Sequence, residues 1–170
     1  YRHDAGHDND HDQLKGNIVI VHGFSESAEK YAELIYYFLQ ARYQVYISDL
    51  RGHGRSVRTE KDLSMIHIDQ YESYLTDLEY LTEKVVQKES PYLPLYLYGH
   101  SMGGGICAAF LEKRADLFQK AVLSSPMIRP LTGVIPFGLA RMIAITMCAL
   151  GKGHHYVAGQ HEFRTDETFE

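Results

Sequence analysis

Short apolar runs and longer amphipathic stretches alternate through the first 125 residues of the chain. "IVIV" (18–21) is continuous, β-branched and closed by Gly23, the pattern of a strand buried on both faces of a parallel sheet. Tyr31, Leu34, Ile35, Phe38 and Leu39 recur at helical spacing and predict a helix over 27–41. "VYIS" (45–48) predicts a second strand, and a longer helix is expected over 69–88, with Ile68, Tyr71, Leu75, Leu78 and Val85 on one face. Pro91 and Pro94 bracket the turn into "LYLY" (95–98), a helix follows over 102–114, and "AVLS" (121–124) gives a fourth strand.

Four alternations of strand and helix define an α/β fold, a parallel sheet with helices on both faces. Sites in such sheets lie beyond the carboxyl ends of the strands, where the glycine-rich segments of this chain fall. The expected organisation is a polar N-terminal loop over 1–17, with the tail of a strand at its start, then an α/β core over 18–125. From 126 to 170 the alternation stops and a cap or lid region begins.

The apolar stretch over 134–150 is interrupted by Pro136, Gly138 and Arg141. Its unbroken part is shorter than the roughly 20 residues of a spanning helix. A cap helix over 137–150 is expected instead, lying over the strand ends with Arg141 turned to solvent. The net charge of -5 leaves no electrostatic footprint for nucleic acid. Cys107 and Cys148 match no metal or disulfide spacing, which points to a reducing, cytoplasmic setting, and Cys107 reads as a small packed residue.

Candidate chemistry concentrates in Gly99-His100-Ser101-Met102-Gly103, a G-x-S-x-G pentapeptide between a buried strand and a helix. A serine on so sharp a turn needs strained backbone angles, and glycines two residues away on either side remove the collisions. The hydroxyl of Ser101 is then exposed at a helix N-terminus that favours developing negative charge. A dinucleotide-binding loop is excluded because its second glycine would fall at Ser101. Acyl transfer also needs two backbone donors for the oxyanion. Met102 N–H, directly after Ser101, and Phe24 N–H, in the "HGFSES" loop (22–27), occupy the expected places.

Other polar groups read as support. His22 reads as a loop-ordering residue rather than a base, and in "DLRGHGRS" (49–56) Asp49 and Arg51 are expected to tie neighbouring loops, beside His53 and Arg55. His3, His7 and His11 are spaced as helical metal ligands would be, but Gly6 and the lack of an apolar anchor favour a solvated loop. His154, His155 and His161 lie near no predicted strand end.

In order, "VHGFSES", "DLRGHGRS", "YGHSMGGG" and "LSSPM" resemble the α/β-hydrolase superfamily, and most closely its lysophospholipase and monoacylglycerol lipase group. The resemblance covers about residues 16–130 and is looser in the tail. It implies Ser101 as nucleophile, Phe24 and Met102 as oxyanion donors, an acyl-enzyme, and a lipid-like ester substrate. No cofactor or metal is implied, and the apolar cap would meet a membrane or micelle surface. In that superfamily the acid and histidine follow the nucleophile beyond the cap. They are expected not to be in this chain, which starts at Tyr1, stops at Glu170, and reads as the N-terminal part of a longer enzyme. A peptidase, a small-ester esterase and a non-catalytic module remain the alternatives.

Overall fold

The computed structural model describes residues 1–3, 14–61, 65–130 and 132–156. Five strands form one sheet in the order β1-β3-β2-β4-β5. These are β1 (Arg2–His3), β2 (Gly16–Val21), β3 (Tyr43–Ile47), β4 (Leu95–His100) and β5 (Lys120–Ser124). Strands β3, β2, β4 and β5 run parallel, as the alternating pattern predicts, while the two-residue β1 pairs antiparallel with the outer side of β3. Gly16 and Asn17, expected in the loop, open β2 and are buried, because Asn17 already pairs in register with Leu95 of β4.

The "IVIV" run is buried on both sides for a visible reason. Ile18 and Ile20 point to one face, where they pack with Val45, Ile47, Tyr31 and Ile35 beneath helix α1 (Ala32–Gln40). Val19 and Val21 point to the other. There they meet Tyr46, Leu97, Ile106 and Phe110 under α2 (Glu72–Tyr80) and α4 (Met102–Arg114). The two-residue side-chain period of a strand therefore feeds two separate cores.

The helix expected over 69–88 begins at Glu72 and widens into a π-helical segment over Leu81–Val86 before a last short turn, α3 (Gln87–Glu89). Wider i→i+5 turns change which side chains face the sheet. Tyr74, Leu78, Thr82 and Val86 are the buried set. Ile68, Leu75, Leu78 and Val85 pack against this core as the periodicity predicts, whereas Tyr71, ahead of the helix, is exposed.

Beyond β5 the character changes. Helix α5 (Phe137–Ala149) forms where the interrupted apolar run predicts it, and Arg141 is exposed as expected. None of its residues is buried, so it is not a further sheet-flanking helix. Strand β5 is itself largely exposed, with Val122 at 58%. No helix among the described residues is long and apolar enough to cross a membrane.

Candidate active site

Strand β4 runs out at His100, helix α4 starts at Met102, and Ser101 makes the whole turn between them. Its backbone sits at φ 51°, ψ −117°, a region that side chains other than glycine adopt at a cost of about 1–3 kcal/mol. The surroundings hold it there. Ser101 N–H donates to Ser124 O (3.0 Å), and Ser101 O accepts from Met127 N–H (2.8 Å) and Gly105 N–H (3.1 Å).

Each neighbouring glycine has a steric reason. A Cβ on Gly103 would lie 2.2 Å from Val21 O and 2.4 Å from His22 O. On Gly99 it would lie 2.7 Å from Cys107 Sγ and 2.8 Å from Gly103 O. The α4 backbone is thus pressed directly onto the end of β2. Cys107 sits in this contact as the packed residue expected, fully buried, its thiol pushed up to about 12 by burial.

The loop after β2 comes to the same place. A Cβ on Gly23 would lie 3.2 Å from Ser101 Cβ, so the backbone of the loop after β2 touches the turn. Ser101 is half-buried, and no described residue hydrogen-bonds its hydroxyl. Phe24 N–H and Met102 N–H likewise have no acceptor among the described residues. Met102 N–H is one of the donors that a helix start leaves open. The Phe24 ring is exposed and stands edge-on to His53, at 5.8 Å between centroids.

Glu26 organises this loop, and the sequence reading missed it. Its Oε2 accepts from Gly23 N–H (2.8 Å) and from Tyr31 Oη (2.7 Å), and its Oε1 pairs with Lys30. His100 Nε2 lies 3.7 Å from Oε1, which links the carboxylate to the residue before Ser101. Burial acts to raise the Glu26 pKa, but hydrogen bonds from Lys30, Tyr31 and Gly23, with the Lys30 charge, outweigh it and hold the carboxyl at about 2. The available signal was Lys30 four residues on and Tyr31 five on, at the start of the first helix.

The two buried histidines are tied to backbone. Leu50 N–H donates to His22 Nε2 (2.9 Å), so the proton is on Nδ1, which donates to Gly23 O (2.8 Å). Both ring nitrogens are spent on ordering loops, as the sequence reading expected. His53 uses Nδ1 on Arg51 O (3.0 Å), while its buried Nε2 has no partner. Burial lowers the pKa of each ring.

Asp49 and Arg51 also hold loops. Asp49 accepts from Ala28 N–H (2.7 Å) and from Arg55 N–H (2.9 Å). Arg51 makes a two-pronged pair with Asp77 of α2 (2.5 and 2.8 Å), and Arg55 pairs with Glu29 (2.5 Å). His3 lies in β1; His7, His11 and His161 lie outside the described residues. His154 pairs with Glu60, not with the turn at Ser101, and the backbone N–H of His155 donates to Lys152 O.

A mostly parallel sheet with an inner strand that turns sharply through a glycine-flanked serine into a helix is the frame of an α/β-hydrolase. The family described as "Serine aminopeptidase, S33" matches residues 12–161, and the chain belongs to it. Lysophospholipase L2 of Escherichia coli (strain K12) is 36% identical over 117 residues, covering 69% of this chain and 33% of the relative. Monoacylglycerol lipase of Mycolicibacterium smegmatis is 33% identical over 122 residues, 72% of this chain and 41% of the relative. Among solved structures, a carboxyl esterase from Bacillus coagulans superposes with a TM-score of 0.68 at 25% identity, covering 84% of this chain and 44% of that one. Paleococcus ferrophilus monoacylglycerol lipase gives 0.64 at 26% identity, over 86% and 50%. This chain therefore spans between a third and half of the length of these proteins.

Proposed function

We propose that this chain is the nucleophile-bearing part of a serine hydrolase that cleaves carboxylic esters of lipid-like substrates, a lysophospholipid or a monoacylglycerol. The observation that carries the reading is Ser101 itself, held at φ 51° against the Gly23 loop, with the N–H groups of Met102 and Phe24, the residues that follow Ser101 and Gly23, lacking an acceptor among the described residues. Its Oγ attacks the ester carbonyl and a histidine takes the hydroxyl proton. The oxygen of the tetrahedral intermediate is held by Phe24 and Met102 N–H. Collapse expels the alcohol, which takes the proton back from the histidine. Water then attacks the acyl-enzyme by the same route and releases the fatty acid.

None of the described histidines reaches the Ser101 hydroxyl, and the buried rings of His22 and His53 are tied to backbone. The proposal places the acid and the histidine in the length of the relatives that this chain does not span. The chain by itself is then inactive, because a serine without its base loses on the order of a millionfold in turnover. Residues 126–170 are assigned to the start of a cap. The exposed apolar side chains of α5, Leu139, Met142, Ile143 and Ile145, support contact there with an acyl chain or a lipid surface.

The name of the matching family favours a second reading, a peptidase acting on a free amino terminus. One experiment separates them. A protein that continues this chain to the length of its relatives is assayed on monoacylglycerol, lysophosphatidylcholine and aminoacyl nitroanilides. Turnover of the lipid esters, abolished in Ser101→Ala, is expected. Turnover of the nitroanilides alone would establish the peptidase, and lipid ester turnover surviving Ser101→Ala would overturn the assignment of Ser101.

A further inference from the structure

A second group of side chains gathers around the loop after β3. Glu60 and His67, in the loop after β3, meet His154, which follows α5. One ligand atom from each lies within 4.8 Å of the others. The carboxylate of Glu60 contacts His154 Nδ1 at 2.6 Å, and the imidazoles of His67 and His154 stack with centroids 4.1 Å apart. Glu60 and His67 are sheltered, with side-chain exposures of 19% and 16%, whereas His154 is more open at 57%. Asp69 Oδ1 lies 3.2 Å from His67 Nε2. With the proton of His67 on that nitrogen, Nδ1 presents a lone pair. A carboxylate that orients a histidine in this way is the usual outer support of a metal-bound imidazole.

We propose that Glu60, His67 and His154 form a binding site for a divalent transition metal of the zinc type, which clips the segment after α5 to the loop after β3. Two imidazoles and one carboxylate are a zinc donor set, with the fourth position left to water. Bonds of about 2.0–2.1 Å set tetrahedral donors roughly 3.3 Å apart, so the 2.6 Å Glu60–His154 contact would open to admit the ion. The metal would replace the direct His154–Glu60 hydrogen bond. The fold gives the clip a purpose, since α5 buries none of its residues and the chain beyond it gains no anchor from that helix. The site makes no use of Ser101, and its role is structural.

The test is calorimetric titration of the chelator-stripped full chain with Zn²⁺, alongside Co²⁺ as a visible reporter of coordination. One equivalent is expected, with an intense tetrahedral Co²⁺ band and Zn²⁺-dependent protection of the segment after α5 from limited proteolysis. Glu60→Gln, His67→Ala and His154→Ala should each weaken binding by more than about tenfold, and Asp69→Asn by about tenfold. His155→Ala and the double variant His7→Ala/His11→Ala should leave binding unchanged, and circular dichroism verifies that every variant is folded. Absence of stoichiometric binding would overturn the proposal. So would affinity indifferent to the three ligand substitutions, or affinity lost only in the His7/His11 variant.

Discussion

The glycines at the Ser101 turn and those beyond β5 behave in opposite ways. Around Ser101, a Cβ on Gly99, Gly103, Gly104 or Gly105 would come within 2.9 Å of a neighbouring atom. Beyond β5, Gly133, Gly138 and Gly151 have nothing within 4 Å. The cysteines divide in the same way, Cys107 buried behind the turn and Cys148 exposed on α5. One region is a finished piece of packing in which strand ends, helix start and loop fix each other. The other has regular backbone structure without a core. The Ser101 geometry therefore depends on β2, β4, α4, the Gly23 loop and the end of β5 with Pro126 and Met127, and not on α5.

The sharpest way to break this comparison is to add one methyl group to each region. Gly103→Ala should cost more than about 3 kcal/mol, because the carbonyls of Val21 and His22 cannot both retreat. Gly138→Ala, inside exposed α5, should instead stabilise the helix by about 0.5–1 kcal/mol. Urea denaturation of the two variants gives the signs directly, and equal effects would dissolve the distinction.

Acid titration addresses the loop. The folded pKa of Glu26 is depressed from 4.5 to about 2, so its contribution is complete above 4.5 and is lost as pH falls toward 2. That contribution is on the order of 2–3 kcal/mol. Glu26→Gln should remove most of the pH dependence in that window. An unchanged profile would show that the carboxylate does not hold the loop.

A smaller effect is expected nearer neutrality. The folded pKa of His22 lies below 6.5 because the ring is buried, so its stabilisation is present above 6.5 and is lost as pH falls through the folded value. Protonation of Nε2 removes the acceptor for Leu50 N–H, worth about 1 kcal/mol. Amide exchange at Leu50 should therefore accelerate as pH is lowered below 6.5, relative to the intrinsic rate. Exchange that follows the intrinsic rate alone would assign Leu50 N–H another acceptor. A change of similar size but opposite sign is expected at the turn and is read by urea denaturation. Ser101→Gly should relieve the positive φ and raise stability by about 1 kcal/mol while removing the hydroxyl.

Much of this was legible in the sequence, and particular residues show where legibility stopped. Continuous β-branched runs marked the parallel strands, and G-x-S-x-G between strand and helix marked the turn, because both signals are local. The wide helical segment over Leu81–Val86 was not legible, since a 3.6-residue period cannot register a widened turn. Glu26 was missed because one of its neighbours, His100, is remote in sequence and becomes adjacent only when β2 and β4 pair. The contact of His154 with Glu60 was hidden for the same reason. The apolar run of α5 predicted a helix correctly, but hydropathy alone does not say whether a helix finds a partner surface.

The most direct test of the central claim is covalent. A fluorophosphonate probe phosphonylates only a serine whose hydroxyl is activated, and peptide mass mapping locates it. In the protein continued to the length of its relatives, a single adduct on Ser101 is expected, absent from Ser101→Ala, while the 170-residue chain alone stays unlabelled. An adduct on another serine, such as Ser25 or Ser125 at their own positive φ, would contradict the account, as would labelling undiminished by Ser101→Ala.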